Sequence, residues 1–564
     1  MESQSLLKRW SWKAFFVRNP SNAPIRFSWF VNLLFALSGA AATMLFTQRG
    51  SIGIGLAGAV CSFAVCALFA FRFHALERAF CRVSPAKLLV SAGFALYVAH
   101  LYSGWYRASM SDRMLEKING VLHLSQALTG MLHTWLSTAF AVASLFALFT
   151  LFYVAIDRFL LETHHRFRTA DKVERRYLLI AGLLAAALIV CVYSLTSAFT
   201  VSGIPYDVVY TADSGTLLET NTFLDINAWQ NDIRQPLFGV FSLPFAIAAE
   251  LLSKALFFVP NAYPILLGTI QALLLLFCCT AVARLLRLEG IKKALFLALM
   301  TVSYPVLLFL LCVEQYIFAL FWVILLVETY CENAPGRRLA FVAATGSLLT
   351  SGALVFLLPY EKSFRSVLRE LLRAAGLLLA FLAFFGQFPL LYSAAASIRD
   401  LMSFSGTGLG FGDKLLQYIN FVAACVVRPF AGVDTTTYLY PSYQLYPVTA
   451  VNPIGVAVLI LAAIGFVLNR KSRLARVSLG WVAFSFVLLC LVGWGTAENG
   501  LVLYTLYFSW AYLVLAYLAL DAALKKWKTA QAVVSFAAIA ALFAVNGANI
   551  INIILFGIRY YPVK

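Results

Sequence analysis

Apolar runs of about 20 residues, the length that crosses a bilayer as a helix, recur along this chain from Phe27 almost to its C-terminus. No other feature narrows the fold as far. The bilayer core offers no water to the backbone, so each run must satisfy its own amides, which a helix does within one segment. The expected fold class is therefore all-α, a polytopic transmembrane helical bundle. Composition agrees: 62% of the 564 residues are hydrophobic and 12% are charged, about half the roughly 25% charged share of a soluble domain. No polar stretch is long enough to bury a core of its own, and no solenoid-type repeat is visible.

The net charge of +18 does not point to nucleic acid. The Lys and Arg residues sit in short loops between apolar runs, where they set orientation. Residues 1–26 place Lys8, Arg9, Lys13 and Arg18 against Trp, Phe and Leu. That spacing suits an amphipathic helix on the cytoplasmic membrane surface, and it lacks the long apolar region of a signal peptide. Cysteines such as Cys61, Cys66, Cys191, Cys278 and Cys279 lie in or beside apolar runs without a C-x-x-C pair. Neither a zinc site nor a disulfide framework is expected from them.

Spans are expected near 27–47, 51–71, 88–106, 134–156, 178–199, 264–283, 294–312, 315–331, 374–396, 453–468, 477–494, 501–521 and 530–548, about thirteen in all. The basic loops at 72–87 and 157–177 belong inside, as does the N-terminus, which puts the C-terminus outside a cell membrane. The same rule makes 236–259 a surface helix: a crossing there would put Arg284, Arg287, Lys292 and Lys293 outside. Pro236, Pro244, Glu250 and Lys254 also make it a poor span. Residues 339–358 have basic residues on both sides and Thr350-Ser351-Gly352 at the middle, which fits a broken, re-entrant hairpin. A short interfacial helix is expected near 415–431, within the external connection Ile398 to Asn452. The chain divides into the N-terminal 1–26, a four-span region 27–177, a main module 178–521, and a last span with its tail at 522–564.

Ionisable groups in or beside a membrane are costly and mark functional sites. Four stand out on the outer side: Asp213 in YTADSG, Arg234 in NDIRQPLF, Glu314 in LLCVEQY and Glu498 in GWGTAENG. Glu314 is wedged between two apolar helices, so it needs a partner or a cavity. Glu498 could instead cap the helix that follows it. Asp207, Glu219, Asp225 and Asp232 share the acidic stretch 200–235, and solvation explains them as well as function does. Tyr438, Tyr440, Tyr443 and Tyr446 crowd one external segment, as an interfacial aromatic belt or as a sugar-stacking surface.

This order of elements resembles the GT-C fold glycosyltransferases, which include protein O-mannosyltransferases and other enzymes using polyprenyl-phosphate sugars. The resemblance rests on a span, an outer acidic loop with an early Asp, and then Arg234-Gln235-Pro236-Leu237-Phe238 opening a surface helix. Gln235 stands where that family usually has His. The run AATGSLLTSGALVFLLP and the stretch GTAENGLVLYTLYFSW carry weaker likenesses, so the resemblance covers about 178–521.

The resemblance implies a catalytic membrane module that moves a sugar from a polyprenyl-phosphate donor to a hydroxyl, with inversion. Asp213 would act as base and Glu314 would orient the acceptor. Arg234 would hold the lipid phosphate, with Arg399 as a further candidate and Glu498 and Tyr443 at the substrate. Members differ in needing a divalent cation such as Mg or Mn. Asp213 is followed by Ser214-Gly215 rather than by a D-x-D, so an obligatory metal is not expected. The partners implied are the lipid-linked sugar and membrane lipids, with the acceptor open. A transporter or flippase of a lipid-linked or anionic substrate, and an envelope scaffold, are the rival readings.

Overall fold

The computed structural model describes residues 29–563, except 73–75, 77–79, 81–83, 202–207, 211, 227–232, 335, 360–362, 394–404, 406–408, 436–439, 447–448 and 496–500. It is mostly helical. Among the described residues nine helices are long and apolar enough to cross a membrane, with three shorter apolar helices beside them. The described residues form two compact units: one comprises those up to Ala170 with 376–393, and the other those from Asp171 to Ala375 and the described residues after 404.

The first unit holds α1 (Trp29–Phe46), α2 (Ile52–Ala67, continued by a π turn), α3 (Pro85–Trp105), α4 (Met110–Leu122) and α5 (Gln126–Thr169). Ser51 and Ser125 open α2 and α5 by accepting from the N–H groups of Ile54 and Leu128. Such caps satisfy amides that a helix start leaves orphaned. α5 has 44 residues, about 66 Å at 1.5 Å per residue, so the span expected at 134–156 is only its middle. A buried ion pair, Lys87 to Asp157, ties α3 to α5, and His133 meets Asp112 at 2.8 Å to tie α4 to it.

The second unit runs α6 (Lys172–Leu195), α7 (Ser214–Glu219), α8 (Phe238–Ala255), α9 (Ala262–Leu285), α10 (Gly290–Val302), α11 (Tyr304–Phe309), α12 (Gln315–Cys331) and α13 (Arg337–Ser347). After a 3-10 stretch at Leu349–Leu357 come α14 (Phe364–Phe384), which ends in the first unit, and α15 (Phe411–Ala424). Strands β1 (Ala431–Asp434) and β2 (Ser442–Leu445) follow, and α16 (Pro453–Asn469), α17 (Arg473–Phe486), α18 (Val502–Ala523) and α19 (Lys528–Tyr560) close the chain. The core sits around α18 and α9, whose most apolar windows are 78% and 72% buried, against 28% for α6 and for α19.

Three expectations change. The span expected at 294–312 is two helices, because Ser303 turns extended and Pro305 has no N–H to continue the ladder. The break is repaired from outside: Asn546 Nδ2 donates to Val302 O and Val426 O at 2.9 Å, and Tyr304 N donates to Val426 O at 3.1 Å. The apolar run expected to span at 374–396 belongs to a helix that begins ahead of it, α14, and that ends before Gly386, whose φ of +69° suits glycine. The segment expected to lie on the surface at 236–259 does form one helix, the 18-residue α8, with half of its most apolar window buried. The external connection holds α15 where a helix was expected, and also an antiparallel pair, β1 with β2, that an all-α reading omits.

Candidate functional site

The segment leading to Asp213 is held by strand-like bonds. Tyr443 N donates to Val208 O at 2.8 Å, and Tyr210 N donates to Tyr443 O at 2.9 Å. Tyr443 is buried, with its ring against Tyr210 and Phe556, and it takes a hydrogen bond from Asn549 Nδ2 at 3.2 Å. Burial raises the Tyr443 hydroxyl above its ordinary value. The structure therefore gives Tyr443 an architectural place beneath the loop.

Asp213 is half-buried at the start of α7. Its side chain caps no α7 amide; Oδ2 accepts instead from Gln315 Nε2 at 3.1 Å. The backbone N–H of the same Gln315 donates to Glu314 Oε2 at 3.3 Å. Glu314 is fully buried at the N-cap of α12, where the helix dipole favours negative charge. Gln271 Oε1 fixes its backbone by accepting from Glu314 N at 2.9 Å, and Tyr193 donates to Leu311 O at 2.6 Å. One glutamine thus joins the two carboxylates that the sequence singles out. Gln315 was not among the sequence candidates, although it follows Glu314 directly and opens an apolar helix.

Aromatic rings extend the site from there. Tyr316 lies parallel to Tyr507 at 6.0 Å and edge-on to Tyr504 at 5.9 Å. It follows Gln315 directly in α12. Trp494 Nε1 donates to the Tyr504 hydroxyl at 3.0 Å. Two buried indoles, Trp481 and Trp510, donate to the Tyr507 carbonyl at 2.7 and 3.0 Å. The Tyr507 hydroxyl lies beside Thr350.

Thr350 belongs to the tip of a hairpin. α13 runs out, the chain breaks at Leu348, and the 3-10 stretch runs back. The buried Arg337 clasps the base, donating to Leu357 O, Leu358 O and Thr329 O at 3.3, 3.4 and 3.4 Å. The tip docks on the R-Q-P-L-F segment through two backbone bonds: Leu237 N to Gly346 O at 2.8 Å and Leu349 N to Arg234 O at 2.7 Å. Arg234 is half-buried there. Hydroxyls crowd this tip. Among the described residues, the side-chain oxygens of Thr345, Ser347 and Ser351, with Gln235 Oε1 of the R-Q-P-L-F segment, are buried without a hydrogen-bond partner. Groups of that kind are ordinarily bonded to something, whether water or ligand.

Asp213 and Glu314 are thus joined through Gln315, and Arg234 meets the hairpin tip through its backbone carbonyl. Arg399 and Glu498, and with them Asp207 and Asp232, lie outside the described residues. Among the described residues no group of three or more His, Cys, Asp or Glu side chains converges as a metal site. Asp213 and Glu314 are the carboxylates that could contribute to one.

The fold and these elements define a multi-pass helical membrane protein. No protein-family model, no curated protein and no solved structure matches the chain.

Proposed function

We propose that this chain is a membrane glycosyltransferase, acting at the extracytoplasmic face on a polyprenyl-phosphate sugar and an acceptor hydroxyl. The observation that carries the reading is the Asp213–Gln315–Glu314 linkage at the end of α12. It brings together a half-buried carboxylate, able to take a proton, and a buried one, able to orient an acceptor.

In this reading the acceptor O–H bond breaks as its oxygen bonds the anomeric carbon. The proton passes to Asp213, and the bond from that carbon to the lipid phosphate breaks, the phosphate leaving with the electron pair. A single displacement of this kind inverts the centre. A positioned base contributes typically about 10²–10⁴-fold. Arg234, half-buried beside the hairpin tip, supplies a guanidinium whose fork matches phosphate oxygens. The neutral hydroxyls of the tip suit the hydroxyls of a sugar ring. If the chain uses a divalent cation, Asp213 and Glu314 would supply its carboxylates.

A second reading, transport of a lipid-linked substrate, is favoured by the interruptions at Ser303 and Leu348, since transporters build sites from broken helices. One assay separates the two. Protein reconstituted in vesicles is given a labelled polyprenyl-phosphate sugar and a mixture of acceptor glycans and lipids. Label appearing in a new covalent product supports transfer, whereas label crossing the bilayer unchanged supports transport.

A further inference from the structure

Between α6 and α10 lies a groove of about 460 Å³, away from the carboxylate site. Arg176, Tyr177 and Ile180 line one wall, and Leu297, Ala298 and Thr301 line the other. The walls are apolar, because the Tyr177 hydroxyl is already bonded to Thr301 Oγ1 at 2.7 Å. From Ala294 to Val302 the groove follows eight residue steps of α10, about 12 Å of helix, which matches part of an acyl chain.

Charge distinguishes one end. α6 and α10 both start there, with Lys172, Arg175 and Arg176 exposed on the first turn of α6. The acids of that turn are consumed internally: Asp171 pairs with Lys293, and Glu174 with Arg284. Arg176 has no ion pair among the described residues and stands at the groove's edge. A furrow with an apolar floor and an uncompensated guanidinium at its mouth is complementary to one kind of lipid. We infer that this groove is a binding site for an anionic phospholipid, its acyl chain along Leu297 and Ala298 and its phosphate on Arg176. A basic residue at a membrane surface favours an anionic headgroup by a free energy that corresponds to roughly fivefold in occupancy.

The test is native mass spectrometry of the detergent-solubilised full chain, with phosphatidylglycerol and phosphatidylcholine of identical acyl chains added at equal concentration. Wild type is expected to retain the anionic phosphatidylglycerol preferentially. Arg176→Gln should lose roughly fivefold of that occupancy, and Arg176→Lys should restore much of it. Ala298→Trp should lower occupancy by filling the floor with the charge intact. Equal retention of the two lipids by wild type overturns the inference, as does wild-type retention by Arg176→Gln. If Ala298→Trp does not fold, the Gln and Lys pair decides.

Discussion

Gln315 donates to Asp213 while its own backbone N–H is held by Glu314, so this amide side chain contributes to where the proposed base lies. A hydrogen bond to a charged group is worth about 1.5–3 kcal/mol. Gln315→Leu is therefore expected to lower kcat by about 10–100-fold with little change in KM, measured on lipid-linked sugar transfer. An unchanged kcat would remove Gln315 from the positioning of Asp213. Glu370 carries a prediction away from the site. Hydrogen bonds from Arg338 hold its carboxyl below the usual value of 4.5, with Arg373 adding another at 2.9 Å. A depressed folded-state value means that the contribution to stability is present above the unfolded value and lost as pH falls through the folded one. The gap in thermal midpoint between wild type and Glu370→Gln should thus be open at neutral pH and close in the acid range below 4.5.

At the scale of elements, the hairpin of α13 and its 3-10 return depends on one close approach. A Cβ on Gly346 would lie 2.9 Å from Leu237 Cβ and 3.1 Å from Phe241 Cε2. Gly346→Ala should push the tip off the R-Q-P-L-F segment at about 1–3 kcal/mol, read as a lower thermal midpoint together with weakened transfer. Asn546→Leu should also destabilise. It strips the partner from Val302 O and from Arg428 N, and each buried group left unpaired costs about 1–3 kcal/mol. These two elements also mark where the sequence could and could not be read. Periodicity and charge locate the apolar helices, and the hairpin at 339–358 is legible because Thr350-Ser351-Gly352 interrupts an apolar run, although the chain turns two residues earlier, at Leu348. The break at Ser303 is not, since Val302, Tyr304 and Val306 are all apolar enough for a span, and the asparagine that repairs it lies far along the chain. The β1–β2 pair was hidden in the same way, its partners separated by a tyrosine-rich loop that reads as an interfacial belt. Asp213 and Glu314 stood out as isolated acids. Their bridge could not, because a glutamine beside a glutamate has no signature until the fold brings Asp213 to it.

At the scale of the whole molecule, the distribution of Lys and Arg along the chain predicts an orientation. Reporter fusions are expected to place the N-terminus in the cytoplasm and the C-terminus outside. Both termini on one side would remove the parity on which the surface placement of α8 rests. In that expected orientation the Asp213–Gln315–Glu314 group would face the extracytoplasmic side, where the proposed lipid-linked sugar and its acceptor would meet. The central claim is that Asp213 takes the proton in this transfer. The most direct measurement is turnover of a labelled polyprenyl-phosphate sugar by purified wild type and by Asp213→Asn, matched for elution and thermal midpoint. The account predicts transfer by the wild type and a loss of about 10²–10⁴-fold in the variant. Equal rates in the two proteins would contradict it.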